Sequence, residues 1–456
     1  MYWIFIIALC LIFIITYVLF RKDLFMPPVM MTLVFLCCSI VVTTRYYDWE
    51  LAEYAPESVL LLLLGILTYI LGGIIAYSLV FLSLKPYSRM NTSSDIEKRI
   101  NIPSCVIIIG IVVCVVTLVL LVEYIKNIVV TMNYNHSSFA KLLYSFRVLS
   151  ARQLIPQALI MPWYLRILSY GLEIFPAFAL FVLLHNVMFK CFRKKDLLLM
   201  VILALGIGQM ILFSERGKLL NLMAVAVYLI YLYKGARDGF NWNTTKKVMR
   251  AGFIMMCCFL VVFFAFAVFQ NRISKTNTKF NVATIYIGGG IRAFDLFVKD
   301  PVSRNTGILG NDETWPYPAM LLSAYLGIGE RPVIPLEFRS INGKNIGNIY
   351  TAFRRYYSDF SIAGLVFFSA FLGFLMTYLY ACCKRLCIYG KSGFVILLFA
   401  WLSRTIFFMP IEEYFFPQFI SLNGFYKIGL LYMLYVIFAE RRILEIFRYR
   451  PCKHRH

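Results

Sequence analysis

Eleven long apolar stretches alternate with polar segments along this chain, and one large hydrophilic segment, residues 271–358, lies between the eighth and the ninth stretch. A bilayer core of about 30 Å requires about 20 apolar residues per helix. Lipid offers no partner to free backbone groups, so each stretch is predicted to be helical. Hydrophobic residues make up 61% of the chain and charged residues 15%, which excludes a soluble globular fold.

The fold class predicted from this pattern is an all-α polytopic integral membrane protein with about eleven transmembrane helices. We divide the chain into residues 1–270 with helices 1 to 8 and an outer loop at about 123–166, the large loop 271–358, and residues 359–456 with helices 9 to 11 and a basic tail. The predicted spans are residues 2–20, 24–42, 58–83, 104–124, 167–188, 197–213, 219–233, 251–270, 360–381, 393–409 and 425–439.

The orientation follows from the distribution of Lys and Arg, because short cytoplasmic loops are enriched in these residues. Of the 45 Lys and Arg residues, 24 lie in six short segments on one predicted side. This predicts an external N-terminus, a cytoplasmic C-terminus and an external large loop. The same bias explains most of the net charge of +22, so we expect no nucleic-acid partner. The six segments are residues 21–22, 85–99, 190–195, 234–250, 384–391 and 441–456.

Several catalytic motifs are absent from the sequence. It contains no Walker A sequence, no H-E-x-x-H sequence and no Asp-x-Asp pair on a loop. His136 is the only histidine in a predicted outer loop, which argues against a Ser-His-Asp site. The cysteines at 382, 383 and 387 do not have the spacing of a zinc site, and no histidine is near. We therefore expect no metal and no cofactor.

The predicted outer face instead carries arginines among aromatic residues. Arginine binds phosphate in a bidentate manner, and aromatic rings stack on sugar faces, so the pattern favours a phosphorylated glycan as ligand. The four clusters are Glu215 with Arg216 between spans six and seven, Arg292 with Asp295 after Gly288–Gly290, Tyr350 to Asp359 with Arg354, Arg355 and Tyr356, and Arg404 with Glu412, Glu413 and Tyr414.

Structural alternatives stand beside each of these clusters. Tyr, Trp and Arg form anchoring belts at membrane interfaces. Arg292 and Asp295 are spaced i,i+3 and could form a solvated helix face, and Glu412 and Glu413 could balance Arg404. The glycines 288–290 favour close packing over phosphate binding. Apolar residues at helical spacing predict that residues 282–298 form a helix along the membrane surface.

At the third cluster the chain resembles a known family. Residues 348–364, NIYTAFRRYYSDFSIAG, look like the signature of bacterial O-antigen and capsule repeat-unit polymerases. In that family an N-x-Y-T-x-F segment, aromatic residues and an Asp before a Gly-bearing span close the large outer loop. The turn at 214–217 and the stretch 288–295 are similar to two further short motifs of the family.

The resemblance implies a GT-C-like membrane glycosyltransferase in the bacterial inner membrane. Its activity would join undecaprenyl-pyrophosphate-linked repeat units, a donor and an acceptor, at the outer leaflet, with a chain-length regulator as a further candidate partner. The expected substrate-binding residues are Arg216, Arg292, Arg354, Arg355, Arg404, Tyr350 and Tyr356. The candidates for the catalytic base are Asp359, Glu412, Glu215 and Glu413, which the sequence does not rank.

Two alternative functions stay open at this stage. An O-antigen ligase of related architecture commonly relies on an outer-loop histidine, and residues 271–358 contain none. A lipid-linked oligosaccharide flippase or another transporter would place basic residues inside a cavity between its spans. It would not need so long an outer loop.

Overall fold

A computed structural model describes residues 1–82, 98–151, 154–213, 216–269, 279–302, 312–327 and 336–440. The chain forms two compact units, each assembled from distant parts of the sequence. The first unit contains residues 1–91, 275–385 and 402–425, and the second contains 92–274, 386–401 and 426–456.

The regular secondary structure of the described residues is helical apart from one small hairpin. Its strands, β1 (Arg339–Ile341) and β2 (Lys344–Gly347), pair in antiparallel fashion. The helices are α1 (Tyr2–Leu19), α2 (Pro27–Thr43), α3 (Pro56–Leu82), α4 (Ser104–Thr131), α5 (Phe139–Ala151), α6 (Trp163–Met188), α7 (Leu198–Leu212), α8 (Arg216–Asp238), α9 (Trp242–Phe269), α10 (Lys279–Lys299), α11 (Pro316–Tyr325), α12 (Ala352–Ile388), α13 (Phe394–Leu402), α14 (Arg404–Phe408), α15 (Phe416–Phe419) and α16 (Leu422–Leu434).

Helix length and composition confirm an all-α membrane protein. Within the described residues, eight helical segments are long and apolar enough to cross a bilayer. Two shorter apolar segments, Pro27–Thr43 and Phe394–Phe408, coincide with the second and tenth predicted spans, and α9 covers the eighth. The total of eleven spans and the GT-C-like architecture stay predictions.

Proline residues mark where several helices begin. Proline lacks a backbone N–H and has a fixed φ, so the first turn of a helix accepts it without loss. Five helices follow this rule, with the proline as the first residue or the one just before it: Pro27 for α2, Pro56 for α3, Pro103 for α4, Pro162 for α6 and Pro316 for α11.

In the first unit, α2 is the central helix, and most of its residues are buried. Helices α1, α3 and α10 pack against it. Near the C-terminal end of α2 the hydroxyl of Tyr2 donates to the carbonyl of Ser39 at 2.8 Å. One turn earlier in α2, the ring of Phe35 stacks on Phe353 of α12, with ring centroids 5.4 Å apart. These contacts hold the beginning of α12 against the core of the first unit.

In the second unit, α6 packs against α4, α7 and α8. The close approach of α6 and α7 depends on Gly206, where a Cβ atom would lie 2.2 Å from the ring of Pro176. The side chain of Gln209 on α7 donates to the carbonyl of Ser169 on α6 at 3.0 Å. Helix α7 ends at Leu212 and α8 begins at Arg216, so the two predicted helices are separate; residues 214 and 215 of the predicted turn lie outside the described residues.

Polar contacts between loops agree with the predicted alternation of sides. In the first unit, Asp23 accepts from Lys384 at 2.6 Å, which joins two segments predicted to be cytoplasmic. Lys344 contacts Asp48 at 2.5 Å and joins two predicted outer loops. In the second unit, Arg99 and Asp196, 2.7 Å apart, join two predicted cytoplasmic segments. Which of the two sides is cytoplasmic stays a prediction.

The structure differs from the prediction at the end of the fourth span and in the loop that follows it. Helix α4 continues to Thr131, past the predicted end at residue 124, because buried Ile125, Ile128 and Val129 extend its packed face. The exposed Lys126 lies on the opposite face of the same helix. The predicted outer loop at 123–166 therefore begins with helix and also contains α5, which is amphipathic. Charged residues did not end this helix because only one of its faces is packed.

Candidate functional site

Helix α10 lies within the large predicted loop, and the predicted helix at 282–298 is confirmed by it. Its three consecutive glycines face three different neighbours. A Cβ at Gly288 would lie 2.3 Å from Val42 of α2, one at Gly289 would lie 3.0 Å from the carbonyl of Ile346, and one at Gly290 would lie 2.4 Å from the carbonyl of Pro410. The glycines thus permit the close packing that the sequence favoured. They lie in the middle of a helix, so they do not form a phosphate-binding loop.

Arg292 and Asp295 form an ion pair on α10, but the pair is buried and not on a solvated face. Their side chains are 1% and 0% exposed. Asp295 also accepts from the backbone N–H of Ala55 at 2.8 Å, and the hydroxyl of Tyr54 donates to the carbonyl of Ile291 at 3.0 Å. The pair therefore attaches α10 to the first predicted outer loop, and a substrate-binding role for Arg292 stays a prediction.

Helix α12 is interrupted where its predicted loop and span parts meet. Phe360 and Ser361 have non-helical backbone angles, and Ser361 has φ +54° and ψ −148°. A short amphipathic helix, residues 352–359, therefore precedes a long apolar helix, residues 362–388. The two helices approach closely at Gly364, where a Cβ would lie 2.6 Å from the carbonyl of Tyr356. The short helix carries most of the third arginine cluster.

Arg354 on the short helix is completely buried between two carboxylates. Its Nη2 atom lies 3.0 Å from Glu313 Oε1 and 2.7 Å from Glu337 Oε2. The rings of Phe297 and Tyr350 face the guanidinium, with centroids 4.5 and 4.1 Å from Cζ. We call Arg354, Glu313 and Glu337 the Arg354 network. It joins α10, the two polar segments of the loop and α12.

Tyr350 is part of the wall of this network and is not an open platform for a sugar. Its side chain is buried, and its hydroxyl donates to Glu337 Oε1 at 2.9 Å. Burial raises the pKa of Tyr350. Burial also disfavours ionisation of Glu337, but the charge of Arg354 and hydrogen bonds from Tyr350 and Arg354 outweigh it, and the pKa of Glu337 is lowered. Glu337 is thus held as the anion that Arg354 requires.

Arg355, the next residue, points into a more open part of the site. Its Nη1 donates to the carbonyl of Glu313 at 2.7 Å, and its Nη2 lies 3.6 Å from Glu412 Oε1. The side chains of Arg355 and Glu412 are 15% and 43% exposed. We call these two residues the 355–412 pair. It places a cation and a carboxylate side by side where a ligand can reach both.

Glu413 is buried directly behind Glu412. Its carboxylate accepts from the backbone N–H groups of Phe415 and Phe416, both through Oε1 at 2.8 and 3.2 Å, and from the hydroxyl of Tyr356 at 3.2 Å. Burial raises the pKa of Glu413 to about 7, although the charge of Arg355 and these hydrogen bonds oppose the shift. Glu413 and Tyr356 therefore fix the backbone that presents Glu412.

Asp359, a candidate base, binds backbone groups at the end of the short helix. Its two carboxylate oxygens accept from the N–H of Glu313 at 3.2 Å and from the N–H of Thr314 at 2.6 Å. Together with Arg355 this carboxylate holds the segment at 312–315 against α12. The contacts favour a positioning role for Asp359, and its catalytic role stays a prediction.

Arg404, the first residue of α14, is also buried. Its guanidinium bonds the side-chain oxygen of Gln418 and faces the rings of Tyr414 and Phe419, whose centroids are 5.3 and 4.8 Å from Cζ. Arg404 thus packs the segment that follows Glu412 and Glu413. The ion pair of Glu412 is with Arg355. Charge compensation of Arg404 by Glu412, which the sequence left open, therefore does not take the form of a direct ion pair.

The first arginine cluster lies in the second unit and is described only in part. Glu215 falls outside the described residues, and Arg216 is described only as the backbone start of α8. Lys218, two residues on, lies 3.3 Å from Glu173 of α6, and Lys427 of α16 lies 2.8 Å from the same carboxylate. We call Glu173, Lys218 and Lys427 the lysine triad. It joins α6, α8 and α16.

Glu313 and Glu337 were not predicted from the sequence, and Glu413 was not distinguished from its acidic neighbours. No motif marks the first two, because they meet Arg354 only after the loop has folded. A usable signal did exist: an arginine inside an apolar, aromatic segment requires a carboxylate partner. The loop at 271–358 offers few acidic residues to serve as one.

Within the described ranges, no group of three or more His, Cys, Asp or Glu residues is arranged to hold a metal ion. Comparison of the chain with protein-family models, with curated proteins and with solved structures finds no match in any of the three. The proposed family and activity therefore depend on the short motifs and on the site itself.

Proposed function

We propose that this membrane protein joins lipid-linked oligosaccharide repeat units into a polysaccharide at the outer leaflet of a bacterial inner membrane. The observation that carries the proposal is the 355–412 pair. It lies where the polymerase-like segment 348–364 meets the end of the tenth predicted span, with both side chains partly exposed. A glycosyl transfer from a pyrophosphate uses a base for the acceptor hydroxyl and a cation for the departing pyrophosphate.

In the proposed reaction, a hydroxyl of the acceptor glycan attacks the anomeric carbon of the donor glycan. The bond between that carbon and the pyrophosphate oxygen breaks, and undecaprenyl pyrophosphate leaves with the electron pair. Glu412 accepts the hydroxyl proton, and Arg355 stabilises the charge that develops on the departing pyrophosphate. Direct displacement inverts the anomeric configuration and places the acceptor hydroxyl and the departing pyrophosphate on opposite faces of the sugar ring. The proposal therefore requires the side chains of Arg355 and Glu412 to separate from their 3.6 Å contact as the substrates bind between them. We expect no metal requirement, which EDTA treatment of the purified protein with two lipid-linked units would test.

The Arg354 network and Glu413 have a different part in this proposal. They fix the short helix and the 412–416 segment, so that the backbones that carry Arg355 and Glu412 keep their positions. Pre-organised charges stabilise a transition state better than mobile ones because they need no rearrangement during the reaction. Arg216 and Arg404 remain candidates for further contacts to the glycan or its phosphates.

The decisive experiment compares two ion pairs of similar exposure. Arg355→Ala and Glu412→Gln are expected to reduce polymer formation at least about tenfold, since a charge-assisted contact contributes roughly 1.5–3 kcal/mol. Arg45 and Asp48, 2.9 Å apart and 15% and 36% exposed, form the matched control pair in the first unit. Arg45→Ala and Asp48→Asn should leave the polymer unchanged. Equal loss in both pairs would contradict the assignment.

The phenotype of a deletion strain separates the proposed function from the two alternatives. Loss of a polymerase leaves single repeat units on the cell surface. Loss of a ligase leaves no repeat unit there, and loss of a flippase traps the lipid-linked unit on the cytoplasmic side. Complementation with the Glu412→Gln variant should reproduce the single-unit phenotype of the deletion.

A further inference from the structure

The surface of the first unit contains an apolar groove of about 640 Å³ between α3 and α12. Small residues form its floor and phenylalanines its wall. The lining residues are Gly72, Ile75, Ala363, Val366, Phe367, Ala370, Phe371 and Phe374. All of these residues are apolar, and both helices are candidate membrane spans.

The groove arises from the close crossing of the two helices. A Cβ at Gly72 would lie 1.9 Å from the carbonyl of Ala370, and a Cβ at Gly373 would lie 2.0 Å from the carbonyl of Tyr69. Because the backbones approach so closely, the bulkier side chains on either side of the crossing project beyond it. Phe367, 63% exposed, and Ile75, 48% exposed, stand on the two walls. The concavity is therefore built into the packing.

The wall of the groove contacts the segment that carries Glu412 and Glu413. Phe371 on the groove wall contacts Phe416, with ring centroids 6.1 Å apart. The backbone N–H of Phe416 donates to Glu413 Oε2 at 3.0 Å, and Glu413 adjoins Glu412 in sequence. Only one residue thus separates the apolar wall from the carboxylate that positions Glu412.

The direction of the groove along α12 agrees with this connection. Ala363 lies two residues after the break at Ser361, and Phe374 lies eleven residues further along the helix. At 1.5 Å per residue the groove extends about 16 Å, roughly half of a bilayer core. Its head lies near the short helix that carries Arg355, and its foot lies deeper among apolar residues of α12.

We propose that this groove binds the polyprenyl chain of the lipid carrier while the pyrophosphate reaches the 355–412 pair. This inference depends on the proposed function for the identity of the carrier. An apolar groove that begins at Ala363, eight residues after Arg355 in the sequence, fits an amphiphile with a long apolar tail and an anionic head. An ordinary phospholipid acyl chain is the competing occupant.

The test measures binding and not turnover. Purified protein in nanodiscs is photolabelled with a polyprenyl pyrophosphate that carries a diazirine in its chain and no glycan. We expect labelled peptides from α3 and from residues 362–388. Ala363→Phe fills the groove and should reduce this labelling at least about fivefold. Ile362→Phe, a neighbouring change at a 54% exposed residue outside the groove, should not.

A second pair of variants protects the test against misfolding of Ala363→Phe. Ile75→Trp narrows the groove from α3, at a position already exposed, and should also reduce labelling. Leu79→Trp, at a 54% exposed position one turn away that does not line the groove, is its control. Equal labelling in all four variants would overturn the inference. So would equal labelling by a phospholipid with a diazirine in its acyl chain.

The two proposals can fail separately. Groove labelling by the polyprenyl probe without any polymer formation by the wild-type protein would support the lipid site and reject the polymerase function. Polymer formation by wild-type protein with full activity in both Ala363→Phe and Ile75→Trp would support the function and reject the groove.

Discussion

Two buried ion clusters, one in each unit, have opposite designs. The Arg354 network has one cation between two carboxylates, and the lysine triad has one carboxylate between two cations. Arg354 is 0% exposed and lies between aromatic faces, whereas Lys218 and Lys427 are 24% and 17% exposed. Each cluster has two ion pairs, so we expect the loss of folding free energy to depend on which residue is replaced, with the largest loss at the central residue.

The largest effect is expected at Arg354. Arg354→Ala leaves Glu313, 1% exposed, without its cation, and a broken buried pair typically costs about 3–5 kcal/mol. Arg354→Lys should recover little, because an ammonium cannot bond two carboxylates while lying flat between Phe297 and Tyr350. Thermal unfolding in detergent would measure both. A melting temperature of Arg354→Ala within about 2 °C of wild type would contradict this account.

Glu413 should make stability depend on pH. Its pKa is about 7 in the folded chain against an ordinary value of 4.5, so the folded state binds the proton more tightly than the unfolded state. The stabilising contribution is therefore complete below about pH 4.5 and is lost as pH rises through 7. The shift corresponds to about 3 kcal/mol.

Glu413→Gln removes the titrating group and should abolish that part of the pH dependence. Melting temperatures at pH 5 and pH 8 would measure it, with Glu53→Gln at an exposed position as control. A wild-type protein that gains stability from pH 5 to pH 8 relative to the Glu413→Gln variant would refute the predicted sign.

A smaller effect is expected when the centre of the lysine triad is removed. Glu173→Gln leaves two lysines without their shared carboxylate, but both lysine side chains retain some access to solvent. We expect a loss of about 1–3 kcal/mol, less than for Arg354→Ala. Chemical denaturation of the two variants side by side would measure the difference. An equal or larger loss for Glu173→Gln would reverse the comparison.

The smallest effect is expected at the edge of the same triad. Lys218→Met leaves Lys427 2.8 Å from Glu173, so the carboxylate keeps a cation. The expected cost is at most about 1 kcal/mol. The double variant Lys218→Met with Lys427→Met should cost more than the sum of the single changes, because the carboxylate then has neither lysine. Strict additivity would show that the two lysines do not share it.

Much of the fold could be predicted because a bilayer imposes a strong rule on sequence. Apolar length alone located α1, α3 and α6, since no other structure satisfies the backbone in lipid. The break of α12 at Phe360–Ser361 also fell at the predicted boundary between loop and span. Helix ends such as Thr131 of α4 could not be predicted, because they depend on which face packs against a neighbour.

The candidate site was less predictable than the fold. Arg292, Arg354 and Arg404 were identified by the aromatic residues around them, but the same pattern describes a buried structural arginine and a phosphate-binding one. Only the three-dimensional contacts distinguish Arg354, fully enclosed, from its neighbour Arg355, which is 15% exposed. Glu313 and Glu337 lie 41 and 17 residues from Arg354, and nothing local connects them.

The interruption of α12 has a mechanical consequence. Ser361 adopts backbone angles that residues other than glycine rarely accept, at a cost of about 1–3 kcal/mol, and the helical hydrogen-bond ladder stops there. The two parts of α12 therefore do not share one helix axis. We expect a tilt of the long apolar helix in a fluid bilayer to be passed to the short helix less completely than it would be along a continuous helix. The short helix is held by its own contacts, those of Arg354 with Glu313 and Glu337 and that of Arg355 with Glu412.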